Sequence, residues 1–146
     1  MSTIKTNTLT GTTSAGSILV TGEGGSTTTN LQQGLCKSWV NFDGTASGAA
    51  ARGSFNNSSM TDNAGGDYTI TLSNGVDSTN NIVASGLCTD DVAANDHVSN
   101  ISFKRQGSGN SPFTTTTVSI IVNFDGQTTS PIDMDFVTVA IHGDLA

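Results

Sequence analysis

Glutamate occurs once, at Glu23, and lysine and arginine together number five against twelve acids, for a formal net charge of −7. So few strong helix formers, with no window carrying apolar residues at i, i+3, i+4 and i+7, exclude a helical bundle. The bases form no cluster beyond Lys104-Arg105, too little to neutralise a row of phosphates, so nucleic acid is excluded as a partner. No stretch approaches the roughly 20 consecutive apolar residues of a membrane helix, and the opening MSTIKTNTLT has no apolar signal core. The expectation is a product made in the cytoplasm, with no membrane partner.

Cysteine is nearly absent too. Cys36 and Cys88 each sit in a Gly-Leu-Cys triplet without CxxC spacing, which leaves little room for metal or redox chemistry. In a reducing compartment both read as small buried apolar residues, although pairing stays open.

What is abundant is small and polar. Threonine, serine, asparagine and glycine supply 71 of 146 residues, while Leu, Ile, Val and Phe number 32. That is just enough to bury a thin core, in one domain that gains from a partner chain. The fold class is all-β, an antiparallel β-sandwich of jelly-roll-like type with an extended N-terminal arm.

Residues 1–30 form the arm. They are Thr/Ser/Gly-rich with isolated apolar positions at Ile4, Leu9, Ile18, Leu19 and Val20, and such a segment is ordered only when something holds it. Those five residues are the candidate anchors.

Residues 31–146 form the sandwich. Leu35 to Phe42 alternates, with Cys36, Ser38, Val40 and Phe42 on one side and Leu35, Lys37, Trp39 and Asn41 on the other, then meets Asp43-Gly44. Ala49 to Asn56 follows, then a turn cluster over Thr61–Gly66, then a strand placing Tyr68, Ile70 and Leu72 on one face before Asn74-Gly75. Further strands are expected at Ile82–Cys88, Val98–Lys104, Thr116–Phe124 and Met134–His142, about seven in all. The last is apolar on both faces and should be central or covered. The expected core is Val40, Phe42, Phe55, Ile70, Leu72, Ile82, Phe103, Ile120, Val122, Phe136 and Val139. Val40-Asn41-Phe42-Asp43-Gly44 recurs as Val122-Asn123-Phe124-Asp125-Gly126, read as two strands running into like turns.

The stretch Lys37-Ser38-Trp39-Val40-Asn41-Phe42-Asp43-Gly44-Thr45, then Ala51-Arg52-Gly53-Ser54-Phe55-Asn56, then Thr61-Asp62-Asn63-Ala64-Gly65-Gly66-Asp67-Tyr68-Thr69, resembles a module of tailed-phage fibre and virion proteins, especially those of marine phages. The MSTIK opening and the LQQGL before the tryptophan are similar as well. The resemblance is specific from about Leu31 to Ser73. It implies a β-rich, trimeric module on the outside of a virion, with itself and other virion proteins as partners. Gly53 stands where many relatives carry an acid. The long shaft that precedes the module in true tail fibres is missing, which widens the expectation to a short fibre, a spike or a capsid decoration protein.

Catalysis finds no support in the sequence, and no cofactor or metal is expected. Asp90, Asp91, Asp96 and His97 share a loop but match no EF-hand spacing. Asp43, Asp62, Asp67 and Asp77 all lie beside turn residues rather than as a hydrolytic carboxylate pair. His142 has no evident partner. The rival function is adhesion, in which a receptor-binding module stacks a host surface glycan on exposed rings. The candidate ligand-facing aromatics are Trp39 and Tyr68.

Overall fold

A computed structural model describes residues 3–11, 18–22, 25–89, 99–104, 112–124 and 131–144. The chain divides into two compact units, Met1–Leu35 and Cys36–Ala146.

In the first unit, residues 3–11 are exposed and belong to no strand. Strand β1 (Leu19–Thr21) pairs antiparallel with β2 (Thr28–Asn30). One helical turn, α1 (Leu31–Gly34), follows, because Asn30 caps it by accepting a hydrogen bond from the Gln33 amide at 3.2 Å. It has no buried residue, and no described helix is long and apolar enough to cross a membrane.

The second unit is an antiparallel β-sandwich. Its strands are β3 (Ser38–Phe42), β4 (Ala51–Phe55), β5 (Asn57–Ala64), β6 (Asp67–Leu72), β7 (Val83–Thr89), β8 (Ser99–Phe103), β9 (Thr117–Phe124) and β10 (Phe136–His142). They form two four-stranded sheets, in the orders β4-β3-β10-β7 and β5-β6-β9-β8. Among the described residues, eight strands split evenly between two sheets match the jelly-roll count. Alternation explains how the sheets stick together. Val40, Phe42, Val137, Val139 and Ile141 face inward from the first sheet, and Tyr68, Ile70, Leu72, Val118, Ile120 and Val122 from the second. Phe42 meets Tyr68 edge-to-face, centroids 4.9 Å apart.

Three residues expected in the core are exposed: Phe55, Phe103 and Phe136. Phe136 lies three positions from Val139, and with a period of two residues they cannot share a face. Phe55 pairs with outward-facing Trp39. Phe103 pairs with inward-facing Ile120 but sits on an edge strand, packed against Phe113. The core is completed instead by Tyr68, Val76, Val118, Met134, Val137 and Ile141. The expected turn cluster over Thr61–Gly66 is mostly strand β5, with the turn confined to Gly65-Gly66. An edge strand with one face in water tolerates this polar composition, and two bulges absorb its irregular register.

The chain crosses between sheets at Asn56, which takes φ +53°, a conformation asparagine tolerates better than most residues. Its Nδ2 donates to the carbonyls of Lys37 and Asn74, each at 3.0 Å, and its Oδ1 accepts from the Asn74 amide at 2.8 Å. Asn56→Ala is expected to destabilise by about 2–3 kcal/mol through these lost bonds and the positive φ. Asn56→Gly, which relieves the φ, should recover about 1 kcal/mol. Urea titrations of both variants check this.

Candidate docking surfaces

Most of the motif residues build one end of the sandwich rather than a site. Tyr68 is fully buried, so it is not a ligand-facing ring. Its hydroxyl donates to Asp133 Oδ1 at 2.5 Å, with the Gly44 carbonyl 3.3 Å away, and the Gly66 amide donates to the same Asp133 oxygen at 2.7 Å. Burial first, and the Asp133 carboxylate second, push the phenol far above its usual range.

Asp43 closes the turn after β3. It accepts from the Thr45 amide at 3.0 Å, the Thr45 hydroxyl at 2.7 Å and the Ala46 amide at 3.2 Å. The Thr45 hydroxyl is the main cause that holds its carboxyl below the ordinary value. Arg52 reaches Asp43 at 2.7 Å, and its guanidinium lies 4.3 Å from the Phe136 ring centroid. Asn63 Nδ2 bonds Asp67 and Thr69 at 3.2 and 3.0 Å. These contacts explain the Asp-Gly-Thr, Arg and Asp-Asn positions as turn hardware. Asp125-Gly126 of the second copy, and the Asp90, Asp91, Asp96 and His97 loop, lie outside the described residues.

Trp39 differs. It stands on the outer face of the β4-β3-β10-β7 sheet, 43% exposed. Register puts Phe55, Trp39, Ala140 and Ser85 in one row across the four strands, and Gly53, Asn41, Thr138 and Leu87 in the next. The bare Gly53 leaves room for the indole beside it, where a Cβ would lie 3.5 Å from the ring. Neither row holds an ionisable group. A trough of about 510 Å³ runs between Trp39 and Leu87 with Asn41, Ser85, Thr138 and Ala140 in its lining. Leu87 is 79%, Val83 66% and Phe55 54% exposed, and Phe136 is exposed as well. Sequence reasoning missed these four as surface residues. Parity along β7 and β10 carried the signal, but only pairing reveals that their outward positions adjoin.

A second cleft of about 390 Å³ opens between β7 and β8, lined by Ala84, Gly86, Ile101, Phe103, Ile120 and Val139. It is the open seam of the sandwich edge.

The arm presents its apolar residues to water: Ile4 is 89% and Leu9 60% exposed, Leu19 and Val20 are exposed, and Ile18 is half-buried. Cys36 and Cys88 are free thiols, both half-buried, and burial pushes the Cys88 thiol up. Among the described residues no group of three or more His, Cys, Asp or Glu side chains could hold a metal ion.

No protein-family model, curated protein or solved structure matches the chain. The reading of function therefore rests on these surfaces and on the residues from Leu31 to Ser73.

Proposed function

We propose that this protein is a structural component of a bacteriophage virion, a short fibre, spike or capsid decoration protein. It acts as a homotrimer held by its N-terminal arm to other virion proteins, with the β-sandwich outermost. The observation that carries the reading is the arm's exposure. A segment that displays Ile4, Leu9, Leu19 and Val20 to water gains by lying on another protein's surface, where an extended, proline-free backbone adds hydrogen bonds to a sheet edge. Burying one such side chain contributes roughly 1.5–3 kcal/mol, whereas ordering each arm residue costs about 1–2 kcal/mol. One arm therefore holds weakly, and three arms on one trimer hold well.

Deleting residues 2–30 tests this. The sandwich has its own core, so the shortened protein should stay folded and soluble yet fail to join particles, as read by its occupancy in purified virions. Wild-type occupancy would remove the arm as the anchor.

One observation favours the adhesin reading: the Trp39 ring borders a trough that also holds Asn41, Ser85 and Thr138, a ring with polar neighbours that suits a neutral sugar. Binding to host-surface glycans that Trp39→Ala abolishes would favour it.

A further inference from the structure

The two sheets of the sandwich have unlike outer faces. On the second sheet, Thr69, Thr71 and Ser102 point outward beside the Asp67–Lys104 ion pair, with the half-buried Ile121 and the buried Ser119 among them. That face is mostly polar. On the first sheet, the outward positions are Phe55 and Gly53 on β4, Trp39 and Asn41 on β3, Phe136, Thr138, Ala140 and His142 on β10, and Val83, Ser85, Leu87 and Thr89 on β7. Central strand β10 adds Phe136 and Ala140 to this face, and among the described residues only its inner positions are buried.

We propose that the outer face of the β4-β3-β10-β7 sheet is the surface on which copies of this chain pack against one another, with Trp39, Phe55, Val83, Leu87 and Phe136 as its dry centre. The proposal names the interface for the self-association in the proposed function and rests on that part of it.

Area is the first argument. At their exposures, these five side chains leave on the order of 500 Å² of apolar surface in one patch, near the upper limit for a protein that stays monomeric. With the small polar neighbours, the face approaches the roughly 800 Å² per partner of a standard interface. Charge is the second argument. The two central rows carry no ionisable side chain; at the margins Arg52 is already paired with Asp43, and His142 lies opposite Val83. Three such faces can therefore meet about a threefold axis with their central rows stranding no charge. Shape is the third: Leu87 and Val83 stand up from an edge strand while Gly53, Ala140 and Ser85 leave low ground, so ridges of one copy have hollows to enter on another. A sugar has use for the Trp39 ring but little for Leu87 and Val83, the two most exposed members of the patch.

The test uses the full chain. Trp39 is the sole tryptophan, so its emission reports the face directly. Wild-type protein should be trimeric by native mass spectrometry and sedimentation at micromolar concentration, with blue-shifted emission that moves red on dilution. Leu87→Glu, at an exposed site the fold does not need, should weaken association at least 100-fold and show the red-shifted emission at all concentrations. Its far-UV spectrum should be unchanged. Val83→Lys should act in the same direction, and Thr71→Glu on the opposite sheet should not. If the wild type is trimeric and both first-sheet variants remain trimeric, the interface lies elsewhere; the trimer survives and this proposal falls. If the wild type is monomeric throughout, the self-association reading and the interface fall together, while arm anchoring, read from particle occupancy, stands apart. A Trp39 emission change on adding neutral glycans to that monomer would give the face to sugar instead.

Discussion

Gly66→Ala should lower the thermal midpoint by about 15 °C or more, the largest effect expected of alanine at any described glycine. Gly66 has φ +65°, which costs an L-residue about 1–2 kcal/mol. Its surroundings are worse. A Cβ there would strike the Ile132 amide nitrogen and lie 2.5 Å from the Val122 carbonyl oxygen, both backbone atoms that cannot rotate away. Those atoms bond each other at 3.0 Å, and the Val122 amide donates to the Gly66 carbonyl at 2.8 Å. Making room breaks that set as well as the Gly66 bond to Asp133, for a total of about 4 kcal/mol or more. Two other glycines separate the causes. Gly48 has φ +75° with nothing near its missing Cβ, and Gly65 has only the Pro131 carbonyl at 3.7 Å. Gly48→Ala should thus cost about 1–2 kcal/mol, and Gly65→Ala close to nothing. A Gly66→Ala midpoint within 2 °C of Gly48→Ala would show that the clash does not matter.

Tyr68→Phe is expected to cost about 2–3 kcal/mol, because it removes a bond to a carboxylate and leaves Asp133 with the Gly66 amide alone among its bonds described above. The same contact predicts a pH dependence. In the unfolded chain the phenol ionises near its ordinary 10.0; in the fold it keeps its proton well beyond that. Above that pH the folded state binds more protons than the unfolded one. Stability is therefore fully present below pH 10 and falls as pH rises further, by up to about 1.4 kcal/mol per pH unit. Tyr68 is the sole tyrosine, so tyrosinate absorbance reads it without overlap. Absorbance should appear together with unfolding and not before it, and Tyr68→Phe should lose this component of the alkaline slope. A reversible tyrosinate signal near pH 10 with the fold intact would refute the buried contact.

Strands with one face in the core were legible, because alternation is written in the residues themselves: Val40 and Phe42 against Trp39 and Asn41, and Tyr68, Ile70 and Leu72 against Thr69 and Thr71. What alternation cannot supply is which strand lies beside which. Phe55 and Phe136 looked like core because they are large and apolar, yet each is outward by parity and partner. Strand β5 was hidden by composition: an edge strand with Met60 as its one inward apolar contact reads as a loop. The same blindness affected the surfaces. Trp39 was picked out as a ring, but its neighbours come from the next strand, Phe55, and from a strand far along the chain, Leu87, and only hydrogen-bonded register puts them together. Tyr68 was set beside Trp39 as a candidate ring, yet the alternation that groups it with Ile70 and Leu72 turns it into the core, where Asp133 supplies its hydroxyl partner from 65 positions away.

The pairing of β3 with β10 has a consequence for how the protein is made. Val40 finds its partner in Val139, so the first sheet stays open through the synthesis of nearly a hundred intervening residues. Such long-range closure makes folding slow, in the millisecond-to-second range typical of all-β domains. During that interval Trp39 and Phe55 exist on a ribosome-bound strand pair, but the ground between them and Leu87 does not, because β10 itself supplies Thr138 and Ala140. A chain cut short before β10 thus lacks both the closing strand of its core and the ground of its outer apolar face. Completion of the fold and completion of that face arrive with the same strand, so a truncated chain that kept one without the other cannot arise.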